Sequence, residues 1–176
     1  MEQQQEPLPD RMKALPQYKG FPIPFTTFMK KEPGIPVDVP DFKITDMDKW
    51  ARCVAGSLCA ICGQTLSYWI WFIGGPACRD NRLFFDLGMH EECARFAAAT
   101  CPYLAYGHDH QKNPVLPEGT HVDEQASNIR PAELFLFRTR GYVLVKVGTA
   151  YYVKAEPFKE VVLIETRVRQ KEGDGV

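Results

Sequence analysis

The chain has 176 residues, 45% of them hydrophobic and 24% charged, a composition that suits one globular domain and excludes a wholly disordered polypeptide. Lys and Arg number 21 against 22 Asp and Glu, leaving a net charge of -1; this excludes retention on nucleic acid by bulk cationic charge but leaves room for a local basic stripe. No apolar run reaches the ~18 residues of a membrane-spanning helix, and the opening MEQQQEPLPDRMKALP lacks the apolar stretch and cleavage site of a secretory leader, so a cytoplasmic protein with no membrane contact is expected.

Residues 1–20 are polar and Gln/Glu-rich at the start, which predicts a disordered tail. Residues 21–42, FPIPFTTFMKKEPGIPVDVPDF, carry Pro22, Pro24, Pro33, Pro36 and Pro40. Prolines at this density forbid a helix and interrupt sheet pairing, predicting an extended arm, packed through Phe21, Phe25, Phe28 and Phe42. Asp46 then caps a short helix, with Met47, Trp50 and Val54 at helical spacing and Gly56 as its stop. The apolar runs YWIWFI and RLFF flank GGPACRDN and read as a β-hairpin with a long loop. On its first strand Trp69 and Trp71 share one face, with Tyr68, Ile70 and Phe72 on the other. An Ala-rich helix is predicted from about Met89 to Thr100, stopped by Pro102.

Residues 106–130, with His108, Asp109, His110 and His121, read as a loop. Within residues 131–170 the segments LFLFRT, YVLVKV, AYYVKA and EVVLIETRV are divided by RG, GT and EPFK, which predicts a four-stranded antiparallel meander. Residues 171–176, KEGDGV, read as a second disordered tail.

All six cysteines lie between Cys53 and Cys101. In a reducing compartment such crowding points to metal ligands rather than disulfides. Cys59-x-x-Cys62 and His90-x-x-Cys93 form two ligand pairs of the kind that deliver four donors to a tetrahedral Zn2+. Gly63 suits the tight turn after the first pair, and the second pair falls at the start of the Ala-rich helix with i, i+3 spacing. Knuckle, hairpin and ligand-bearing helix, in that order, are the arrangement of a treble-clef zinc finger. The predicted fold class, with 43–105 as the zinc domain, is therefore α+β: a treble-clef zinc finger core with an appended four-stranded antiparallel β-meander. A redox Cys-x-x-Cys is the competing reading, but that motif heads a helix, whereas Gly63, Gln64 and Thr65 lead into a β-run. Cys53, Cys78 and Cys101 read as packing residues, with Cys78 or Cys101 as a replacement ligand in reserve.

The segments FPIPF, PDF, CAICGQTL, FIGGPACRDNR and MHEECARFAAATCPYL together resemble a group of functionally uncharacterised bacterial and bacteriophage proteins, over about residues 20–105. The resemblance implies Cys59, Cys62, His90 and Cys93 as ligands and places Cys78, Asn81 and Arg82 in a characteristic turn, here altered to Gly-Gly-Pro-Ala-Cys. It implies no activity.

Three functions compete. An HNH-type nuclease needs a histidine on the hairpin, and 65–85 contains none; no catalytic residue is assigned. A nucleic-acid module would use Arg79, Asn81 and Arg82, with Arg130, Arg138, Arg140, Lys146 and Lys154 on the strands and Tyr142, Tyr151 and Tyr152 as stacking platforms. The preferred expectation is a non-enzymatic adaptor or inhibitor that binds a cellular or host protein, with structural zinc. Its surface would be drawn from Trp69, Trp71, Arg79, Asn81 and Arg82, provided the arm FPIPFTTF does not cover the aromatic strand.

Overall fold

A computed structural model of the chain describes residues 7–101, 104 and 133–164. Residues 1–6, 102–103, 105–132 and 165–176 lie outside the described residues, and with them the whole of the predicted loop 106–130.

The chain begins with a 3-10 turn, Asp10–Met12, whose Met12 is buried. This departs from the disordered tail expected there. Leu8, Met12 and Leu15 recur at i, i+4, i+7 and all contact the core, which supplies the apolar anchor the polar opening conceals. Strands β1 (Gln17–Tyr18) and β2 (Phe21–Pro22) form an antiparallel hairpin. Lys19 and Gly20 at its tip both have positive φ, as a two-residue turn matched to strand twist requires. The proline-rich arm is more ordered than an extended strap: β3 (Thr27–Lys30) pairs antiparallel with β4 (Val39–Thr45). Among the described residues each of these strands has a free edge, so Pro40 is accommodated opposite Met29.

Helix α1 spans Met47–Gly56, and the Asp46 carboxylate accepts from the Asp48 and Lys49 amides at 3.1 Å each. Ser57 closes it in the left-handed region, donating its amide to the Cys53 carbonyl. The buried face is Trp50 and Cys53, rotated from the predicted one, for Met47 is exposed.

Next in chain order are β5 (Ile70–Gly74), α2 (Pro76–Asn81), β6 (Leu83–Phe84), α3 (Glu91–Thr100), β7 (Leu134–Thr139), β8 (Tyr142–Val147), β9 (Ala150–Ala155) and β10 (Glu160–Ile164). The last four occupy the predicted strand segments but do not form one meander. They divide between two antiparallel three-stranded sheets, ordered β10-β7-β5 and β6-β9-β8. Burial gives the reason. Leu134, Phe135, Leu136 and Phe137 are all buried, so β7 needs neighbours on both edges and cover on both faces, which the end of a meander cannot supply. Thr139, buried at the crossing, donates to the Glu156 carbonyl at 3.0 Å and pins the chain where it changes sheet.

The expected hairpin of YWIWFI and RLFF is also revised. Instead of a turn, Pro76 opens α2 at a position where a missing amide costs nothing. β5 and β6 then separate, one into each sheet. Phe72, Phe84, Phe137 and Phe158 link the two sheets, with ring centroids 4.6 Å (Phe72–Phe84), 5.5 Å (Phe84–Phe137) and 4.5 Å (Phe137–Phe158) apart. Aromatic pairs of this kind contribute about 0.5–1.5 kcal/mol each beyond area burial. No helix among the described residues is long and apolar enough to cross a membrane.

Candidate metal centre

The first half of the site is a tight knuckle. Leu58 and Thr65 form an antiparallel bridge, the Cys59 amide donates to the Gln64 carbonyl at 2.8 Å, and the Gly63 amide donates to Cys59 at 2.9 Å. Gly63 has φ +72°, and a Cβ there would stand 2.8 Å from the Phe25 ring. Backbone conformation and close approach of the arm both demand glycine. The arm is stapled to the knuckle, with the Phe25 amide donating to Ile61 at 2.8 Å and the Thr26 amide to Ala60 at 3.2 Å. Its packing against the core runs through Phe25.

The second half is delivered by β5 and α3. Trp71 and Met89 exchange both backbone hydrogen bonds, at 2.9 and 2.8 Å, and Ala60 donates to Gly88 at 3.1 Å. This fixes His90 as the N-cap of α3 and puts Cys93 in its first turn. The i, i+3 pair is thus one residue outside and one inside the helix.

Cys59, Cys62, His90 and Cys93 are brought together: their ligand atoms all lie within 4.8 Å of one another, and all four residues are buried. A tetrahedral zinc with sulfur bonds of about 2.3 Å places its sulfurs roughly 3.8 Å apart, so the four donors are compatible with a zinc site. The imidazole is oriented for ligation. Its Nε2–H donates to the Thr65 carbonyl at 3.0 Å, leaving Nδ1 to face the cluster, 3.3 Å from Cys62 Sγ. Fixing the tautomer through the far nitrogen is what a metal-binding histidine requires.

Without a cation the three thiols compete. Hydrogen bonds from Cys62 and then Cys93 hold the Cys59 thiol far below its usual range. Its thiolate in turn drives Cys62 and Cys93 upward, and its hydrogen bond with His90 raises the imidazole. The cluster thus favours one thiolate over three, a conflict that a dication removes. The positive end of α3 favours the same anionic form.

Cys53, Cys78 and Cys101 lie outside the cluster. Burial pushes the Cys53 thiol up to about 11, as suits a packing residue. Of the expected binding surface, Trp71 is corrected to core: it is 1% exposed, enclosed by the bridge to Met89 and by Arg95, whose guanidinium stands 5.3 Å from its ring. Trp69 is half-buried beneath Arg138, at 4.5 Å. Asn81 accepts from the Leu83 amide at 2.8 Å, and Arg82 exchanges bonds with the Ala155 backbone, so both hold the chain around α2. Arg79 is exposed, paired with Asp80 at 3.2 Å. His108, Asp109, His110, His121 and Arg130 lie outside the described residues.

Sequence reasoning missed Thr65, Arg11 and Glu92, which surround the cluster. The Leu8, Met12, Leu15 spacing was the one signal that pointed to the N-terminal segment. Compared with known proteins, the chain matches no family model, no curated protein and no solved structure.

Proposed function

We propose that the chain is a non-enzymatic, zinc-stabilised binding protein, acting as an adaptor or inhibitor of a cellular or host protein. A structural role for the zinc is supported by four buried protein donors within 4.8 Å of one another, since four protein ligands would fill a tetrahedron and leave no position for water. A treble-clef reading is supported by the succession of knuckle, Trp71–Met89 bridge and α3, with the hairpin shortened to a single bridged pair.

The observation that carries the binding reading is β8. It lies at the edge of its sheet among the described residues, and Val143, Leu144 and Val147 are 59%, 47% and 46% exposed. Water-facing valine and leucine on a free edge suit an extended segment of a partner, which would add a strand through main-chain bonds and fill pockets with alternate side chains. Nucleic-acid binding is less well supported, since Arg138 and Arg140 already lie over Trp69 and Tyr68.

Affinity capture with purified chain is expected to retain a discrete protein in stoichiometric amount. A Val143→Lys, Leu144→Lys variant that remains folded should lose it. Equal capture by both, or retention of salt-sensitive nucleic acid instead, would overturn this assignment.

A further inference from the structure

We propose that Arg11 is a positioning residue of the metal centre, clamping its two ligand-bearing halves and offsetting the charge of the thiolates. The inference rests on the zinc reading above. Arg11 Nε donates to Glu92 Oε1 at 2.7 Å, and Nη1 donates to Gln64 Oε1 at 3.1 Å. Gln64 closes a reciprocal contact, its Nε2 donating to the Arg11 carbonyl at 3.3 Å.

These partners belong to opposite halves of the site. Gln64 belongs to the knuckle, and its carbonyl holds the Cys59 amide at 2.8 Å. Glu92 lies between His90 and Cys93 in the chain, on the first turn of α3. One guanidinium therefore ties the Cys59–Cys62 pair to the His90–Cys93 pair. Its planar fork serves both acceptors at once, which a lysine ammonium on a flexible stem does less well. Met12, 2% exposed in the core, anchors the 3-10 turn that presents Arg11.

Charge gives the second role. Three thiolates and a neutral imidazole around a dication leave one net negative charge, and a nearby cation stabilises that state over the metal-free one. The Arg11 guanidinium is held charged chiefly by its hydrogen bond to Glu92, and Cys62 and Cys93 act in the same direction more weakly. An isolated exposed ion pair would contribute little, but here it is joined to a two-way contact with the knuckle.

The test uses the zinc-loaded full chain and follows transfer of zinc to excess chromogenic chelator. Arg11→Met is expected to release zinc about ten-fold faster, in the range for lost outer-shell partners. Gln64→Ala keeps the charge but breaks the bridge, so about three-fold is expected, and Arg11→Lys should recover part of the loss. Wild-type release should accelerate with salt more steeply than Arg11→Met, because only the wild type has this charge to screen, in its pair with Glu92 as well as towards the thiolates; recovery by Arg11→Lys is the readout that a contact without a charge role would not give. Variants loaded with one zinc, with wild-type release rates and salt dependence, would overturn the clamp alone. A wild-type chain that takes up no zinc would overturn the metal reading and the clamp with it.

Discussion

At Cys53 the surroundings decide the chemistry. The thiol is 0% exposed, and burial raises its pKa from 9.0 to about 11, so it stays protonated in the folded chain where an unfolded chain would ionise it. The folded state holds more protons in that interval, and this contribution to stability, full below pH 9, is lost as pH rises towards 11. Urea denaturation at pH 8 and pH 10.5 should show a fall in stability that is smaller in Cys53→Ala than in the wild type. An identical fall in both would show that Cys53 does not contribute. The four clustered donors were legible in the sequence for a local reason: a two-residue spacer fixes their geometry within one turn of chain. Thr65 was not legible, because its contribution is a backbone carbonyl, and any residue type supplies one. Arg11 was hidden by distance along the chain, since only the folded protein places it against Gln64 and Glu92.

Elements were legible where their signals are local. Asp46 announced α1, and its carboxylate accepts from two amides of the first turn. Replacing it with alanine should cost about 1 kcal/mol, the usual value for such a cap. Thermal or urea denaturation would measure this, with Asp46→Asn expected to restore most of the loss. The strand segments of the C-terminal part were visible in their apolar runs, but their partners were not. Strand pairing is a contact between distant residues, and the turn signals RG and EPFK are equally compatible with a chain leaving one sheet for another. Gly-Gly-Pro misled in a similar way. Proline after glycine marks a turn in general, but it also suits the first position of a helix, and the residues that follow make α2. At the N-terminus the polar residues outnumber the three that anchor it.

At the scale of the described residues, the clustered cysteines and the aromatic core form one body. Cys59, Cys62 and Cys93 belong to the same buried cluster as Trp71, Phe72, Phe137 and Val153. Metal binding is folding energy in such a site, and here its loss should reach both sheets. Elemental analysis is expected to find one zinc per chain. Strong chelator should then abolish far-ultraviolet circular dichroism and shift tryptophan fluorescence in a single step. Cys59→Ser should reproduce this as loss of soluble protein, and a folded, zinc-free Cys59→Ser would contradict it.

The pairing of β5 with β7 and of β6 with β9 has a consequence for the order in which the chain can be made. Cys59, Cys62, His90 and Cys93 leave the ribosome well before residues 134–155, so the donors can meet a metal while β5 and β6 still lack these partners. Until those strands emerge, the apolar stretch Ile70–Ile73 has an unpaired edge, the kind of transient surface on which nascent chains aggregate. An early-bound metal would hold Trp71 against Met89 during that interval. Translation halted between residues 105 and 133 would leave the four clustered donors in place and both three-stranded sheets incomplete, so the C-terminal strands are needed to finish a core whose cysteines were synthesised first.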